Sequence, residues 1–134
     1  MSSRSSADPQ DLRIETRSEG GAVVVMARGE VTVFSSPALR EALRKVAERR
    51  PALVVLDLAE TPYLDSSGVA TFVEALQMIQ RGKGKLVLAG MTPRVRGVFE
   101  IARLDTIFTV AESVAEALRP STGSGRPEQV EGRT

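Results

Sequence analysis

The sequence of 134 residues contains no cysteine and no histidine. Those two absences remove whole classes of chemistry. A disulfide framework, a thiolate nucleophile, a Cys/His zinc site and a Ser-His-Asp triad are all excluded. Aromatic residues are scarce, with Phe 4 and Tyr 1, so few rings are available to stack on nucleic-acid bases. An excess of one charge is lacking too. Lys+Arg 18 against Asp+Glu 17 gives a formal net charge of +1, and no overall field draws the chain to nucleic acid or an anionic membrane. No apolar run approaches the roughly 20 residues of a membrane span, and residues 1–10 lack the apolar centre of a secretory signal. The expectation is a soluble cytoplasmic protein with no nucleic-acid partner and no direct membrane insertion.

What is present fits one globular domain: 42% apolar and 26% charged residues in a chain too short for two well-cored units. Residues 1–10 are Ser-rich, and residues 120–134 hold one valine among Pro, Gly, Ser and charges. Neither stretch can bury enough surface to offset its ordering entropy, so both are expected to be disordered tails around a folded part at 11–119.

Within 11–119 the apolar period switches repeatedly between 2 and 3.6. Leu12 to Thr16 alternates, Ala22 to Ala27 is continuously apolar, and Glu19-Gly20-Gly21 between them signals a turn, which together read as a hairpin. Pro37 then opens a helix bearing Leu39, Ala42, Leu43 and Val46 at i, i+3, i+4, i+7, and Pro51 bounds it. Residues 52–58 form an apolar strand of the kind covered on both faces. A helix over about 67–81 follows, with Val69, Phe72, Val73, Leu76 and Ile79 inward. Lys85 to Ala89 is a further buried strand, Pro93 opens a helix carrying Val95, Val98, Phe99 and Ala102, Ile107 to Val110 is a short strand, and Ser113 caps a last helix at 114–118. The predicted fold class is α/β: a mixed sheet made of an N-terminal hairpin plus parallel βαβ strands, with four helices. The loops after the parallel strands, 28–36, 59–67 and 90–93, are the expected meeting place for a partner.

The loop from Glu60 to Gly68 carries the most information. Asp65 or Ser66 is placed to cap the following helix, which leaves the amides of residues 67–69 free for a phosphate at the positive helix end. Gly68 in the first turn costs about 1 kcal/mol against alanine and leaves room for a close approach. A phosphate on Ser66 would add about −1.5 to −2 charges beside Asp65 and repel a partner that desolvates this loop.

Asp65-Ser66-Ser67-Gly68 after an apolar strand, with Gly29-Glu30-Val31 earlier and Pro37-Ala38-Leu39-Arg40-Glu41-Ala42-Leu43 following the latter, resembles the STAS domain of bacterial anti-sigma factor antagonists. The resemblance spans essentially all of 11–119. It implies that Ser66 is phosphorylated by an anti-sigma factor that is also a serine kinase, and that a PP2C-type phosphatase removes the phosphate. The unmodified chain would bind the anti-sigma factor and the phosphorylated chain would not. Asp65, Ser67, Gly68, Thr32, Ser36, Thr71 and Glu74 are the partner-binding residues expected around it. Thr32 stands where family members commonly carry aspartate. No cofactor or metal of the chain's own is implied, since ATP and Mg²⁺ enter with the kinase. STAS domains also serve as constitutive interaction subunits, for example of lipid-transport ABC systems.

Other readings are weaker. Arg81-Gly82-Lys83-Gly84-Lys85 lacks the spacing of a phosphate loop and runs from helix to strand, the reverse of the required direction. The basic residues Arg40, Arg44, Lys45, Arg49 and Arg50 complement a helix dipole. Asp57, Asp65, Glu60 and Glu30 are candidates for an acidic cluster at one sheet end, but no complete catalytic constellation accompanies them, and the chain is not expected to be an enzyme.

Overall fold

The computed structural model describes residues 12–119; the tails expected at 1–10 and 120–134 lie outside them. Strands β1 (Arg13–Glu19) and β2 (Ala22–Arg28) pair antiparallel across a turn in which Gly20 takes φ 64°. Strands β3 (Leu53–Asp57), β4 (Lys85–Ala89) and β5 (Thr109–Ala111) add in parallel, one beside the next, in the order β1-β2-β3-β4-β5. Helices α1 (Ser36–Glu48), α2 (Ser66–Arg81) and α3 (Pro93–Ile101) make the crossovers, and α4 (Val114–Leu118) closes the described chain. The architecture is the mixed sheet with four helices that the sequence predicts.

Side-chain alternation explains why the central strands are apolar at every position but their ends. Val23, Val25, Val54, Leu56, Leu86 and Leu88 point to one face and pack with Leu39, Leu43, Phe72, Ile79, Val95 and Phe99 of α1, α2 and α3. Val24, Val55 and Ala89 point to the other, where Val114, Ala117 and Leu118 of α4 cover them. The larger core is tied by rings: Phe72 stacks on Phe99 at 5.8 Å, and Phe108 meets Phe99 edge-on at 5.4 Å. Strand β1 lies at the sheet edge, where Leu12 and Ile14 reach the core and polar side chains line the remainder.

Element ends follow local chemistry. Thr92 caps α3 by accepting from the Val95 amide at 3.2 Å, and Ser113 caps α4 through the Glu116 amide at 3.1 Å. The strand expected at Ile107 to Val110 instead covers Thr109–Ala111. The amides of Ile107 and Phe108 both donate to the Leu104 carbonyl, so that stretch is spent on a turn before the ladder begins. Ala102, expected to face inward from α3, is exposed at its C-cap.

The Arg81–Lys85 segment is a helix-to-strand turn, as read from its direction. A Cβ on Gly84 would sit 2.4 Å from the Pro51 carbonyl oxygen, so only glycine lets β4 start this close to the entry of β3. Arg50, just past α1, and Lys83, just past α2, take left-handed backbone conformations at φ 52° and 70°. Glycine usually fills such positions, and a side chain there costs about 1 kcal/mol.

Candidate partner-binding site

The carboxyl ends of β2, β3 and β4 lie at one end of the sheet because these strands are parallel. Beyond the sheet, the loops after β2 and β3 stay joined. The Gly29 amide donates to the Glu60 carbonyl at 2.9 Å, the Val31 amide to Tyr63 at 3.0 Å, and the Asp65 amide to Val31 at 3.1 Å. Beneath them the buried Thr61 hydroxyl donates to the Ala27 carbonyl at 2.7 Å. The first turn of α3, which follows β4, adds Arg94, whose guanidinium lies 5.2 Å from the centre of the Tyr63 ring.

Asp65 organises this end. Its Oδ1 accepts from the amides of Ser67 at 2.8 Å and Gly68 at 3.2 Å, capping α2, while its backbone carbonyl accepts from Val69 at 3.1 Å. Its Oδ2 accepts from the Val33 amide at 3.1 Å and so pins the other loop. This corrects the expectation that amides 67–69 stand free for a phosphate. All three are already occupied, two of them by a carboxylate, and the positive end of the helix is neutralised from within the chain.

Gly68 also departs from its expected purpose. A Cβ there would lie 3.0 Å from the Val31 carbonyl oxygen and 3.0 Å from side-chain carbons of Val31 and Leu64. The space left by the missing side chain is filled by the chain's own loop rather than kept for a ligand. Thr32 belongs to that loop. Its Oγ1 accepts from the Phe34 amide at 3.2 Å, and its carbonyl accepts from the amides of Ser35 and Ser36. Ser35, whose hydroxyl donates to the Glu30 carbonyl at 2.8 Å, locks the turn into α1. Thr32 therefore holds a tight turn with a hydroxyl at the position where the resemblance leads one to expect a carboxylate.

Ser66 is exposed at the first residue of α2. Large apolar side chains stand open on both sides of it. On one side Val33 and Phe34, at the tip that Asp65 holds, are 57% and 67% exposed. On the other, a groove of about 450 Å³ runs between α2 and α3, with Ser66 and Asp65 on its wall beside Val69, Ala70, Val98 and Ile101. Ile101 is 87% exposed, far more than an isoleucine in a helix normally shows.

Of the other residues expected here, Ser67 and Thr32 are half-buried, and Glu74 is exposed and paired with Arg40 at 2.7 Å. Three are corrected. Gly68 is buried under Val31, and Ser36 is only 4% exposed in the first turn of α1. Thr71 is 0% exposed, because the face of α2 that carries it turns inward; its Oγ1 has no hydrogen-bond partner. The residues missed were those of α3. Ile101 lies six positions after the buried Val95 and off its apolar stripe, a signal that periodicity alone contains.

The acidic residues weighed for catalysis are dispersed in their bonding. The Asp57 carboxylate accepts from the Ala59 amide at 3.1 Å, Glu60 lies 3.6 Å from Arg28, and Asp65 is spent on three amides. Among the described residues no group of three or more acidic side chains is arranged to hold a metal ion, and no helix is long and apolar enough to cross a membrane.

The sequence profile of the STAS domain matches residues 13–117. The anti-sigma-B factor antagonist of Listeria monocytogenes is 30% identical over 86 residues, which cover 64% of this chain and 75% of that protein. In fold, the crystal structure of an anti-sigma factor antagonist from Mycobacterium paratuberculosis superposes with a TM-score of 0.76 at 24% identity, covering 82% of this chain and 93% of the other. The Bacillus cell fate determinant SpoIIAA in its phosphorylated form gives 0.63 at 18% identity, covering 81% and 96%.

Proposed function

This chain belongs to the STAS domain family, and from that premise we propose that it is an anti-sigma factor antagonist whose partner docks across Ser66. The observation that carries this reading is the exposed Ser66 hydroxyl between two open apolar surfaces, Val33–Phe34 and the α2–α3 groove. A partner covering both must desolvate the hydroxyl between them. A neutral hydroxyl tolerates that; a phosphate dianion does not. With the amides of residues 67 and 68 held by Asp65, the phosphate finds no compensation at the helix end and stands beside a second negative group.

In this reading the unmodified chain binds an anti-sigma factor that is also a serine kinase, and phosphorylation of Ser66 releases it. A PP2C-type phosphatase resets the switch, and the exchange takes place in the cytoplasm. The chain itself acts by binding and is the substrate, not the catalyst, of phosphoryl transfer. The Bacillus neighbour is a protein of this fold in a phosphorylated form, which supports the reading.

The test is affinity for the cognate anti-sigma factor, measured by calorimetry on the full chain. Ser66→Ala keeps binding within about threefold, whereas Ser66→Asp weakens it by about a hundredfold or more, on the order of 3 kcal/mol. Intact mass after incubation with the partner and ATP gains one phosphate, mapped to Ser66. Equal binding by both variants points instead to a constitutive interaction subunit.

A further inference from the structure

The near-zero net charge conceals an uneven distribution. Helices α1 and α2 both begin at the Ser66 end and finish at the other, and the 16 residues of α2 alone span about 24 Å. At the far end, Arg49 and Arg50 follow α1, Arg81 ends α2, and Lys83 and Lys85 lead into β4. All five are exposed, and among the described residues none of them is in an ion pair. Elsewhere Arg28 pairs with Glu15 and Glu60, Arg40 with Glu74 and Arg96 with Glu112, while the cations that make no ion pair among the described residues, Arg13, Lys45, Arg94, Arg103 and Arg119, are scattered over other segments.

Two of the five, Arg50 and Lys83, hold the left-handed positions past their helices, where glycine is the unstrained choice. The Arg50 stem also crosses the end of α2, with its Cγ 3.4 Å from where a Cβ on Gly82 would lie, so the two helix ends are one surface. Between them is a cleft of about 350 Å³. Arg44, Arg50 and Arg81 form its rim together with Glu48, and Ala47 and Met78 supply its apolar lining. Glu48 and Glu41 both bond to Arg44, which occupies that guanidinium and leaves Arg50 and Arg81 as the open donors.

We propose that this end is a second docking surface, and that it takes an acidic protein segment with apolar side chains among its carboxylates. Guanidinium groups pair with carboxylates through parallel hydrogen bonds, and a flexible thioether adapts to an inserted apolar side chain. The observations favour this occupant over two others. Single-stranded nucleic acid needs rings to stack on, but Phe72, Phe99 and Phe108 are buried and Tyr63 lies at the Ser66 end. A membrane surface needs several apolar groups to insert, but of the exposed large ones Val33, Phe34 and Ile101 lie at the Ser66 site, and Ile107 alone, before β5, stands toward this end.

The test uses the full chain and a short fluorescent peptide of glutamates interspersed with leucines, followed by anisotropy at an ionic strength of about 0.15 M. The triple variant Arg50→Gln, Arg81→Gln, Lys83→Gln is expected to weaken binding about tenfold. Ser66→Asp and Ile101→Ser leave peptide binding unchanged, which separates this surface from the Ser66 site. A thermal melt checks that the triple variant is folded, and Arg81→Gln alone, on a regular helical residue, provides a milder version with a partial loss. Undiminished binding by the folded triple variant overturns the proposal. So does a preference for phosphatidylserine vesicles or a single-stranded oligonucleotide over the peptide.

Discussion

Two residues of α2 show how local preference and packing conflict. Thr71 has a hydroxyl with no hydrogen-bond partner and no exposed surface. Valine has the same shape without the unsatisfied group, so Thr71→Val is expected to raise stability by about 1 kcal/mol in urea unfolding. Gly68 runs the other way. Alanine improves helix propensity by about 1 kcal/mol, yet its Cβ meets a backbone oxygen and two buried side chains at 3.0 Å. Overpacking of this kind costs about 1 to 3 kcal/mol, so Gly68→Ala is expected to lower the urea midpoint. Neither outcome follows from sequence. A threonine three residues after a glycine on an amphipathic helix reads as surface, and only tertiary packing puts both inside, Gly68 under the Val31 loop and Thr71 on the inward face of α2.

At the scale of elements, the site is two loops and a groove held by one carboxylate. Asp65 spans from the first turn of α2 to the Val33 amide, and this fixes the Val33–Phe34 tip next to Ser66. Helix α3 supplies the opposite wall through Val98 and Ile101. Exposed apolar side chains contribute little to the fold, so Phe34→Ser and Ile101→Ser should leave the melting temperature nearly unchanged. Each is expected to weaken anti-sigma factor binding by about tenfold, as anchors of a protein interface do. Loss of affinity in the Phe34 variant alone would place the partner on the loop side of Ser66. The acid–base state of α1 is local as well: the hydrogen bond from Arg44 holds the Glu41 carboxyl below its ordinary value, at an exposed position.

Across the whole molecule, parallel strands sort the chemistry into two ends. Every β-to-α loop collects at the Ser66 end, and every helix-to-strand turn between β3 and β4 or before β3 collects at the basic end. Sites this far apart should act independently. A cycle combining Ser66→Asp with the triple glutamine variant is therefore expected to show coupling under about 0.5 kcal/mol for either ligand. A larger value would mean that the core transmits strain between the ends.

The amino-acid sequence by itself determined the order of elements, the mixed sheet and the strand-to-helix loop that carries Ser66. Those depend on periodicity, turn residues and caps, which are properties of neighbouring residues along the chain. Ser113 as a helix cap and the reversed sense of the Arg81–Lys85 turn were legible for the same reason. Only the tertiary structure decided that Asp65 occupies the helix amides, that Thr71 and Ser36 are buried, that Ile101 faces the groove and that five cations without an ion pair share one end. Each of these depends on distances between segments far apart in sequence, and such distances are set by packing rather than by any residue's own preference.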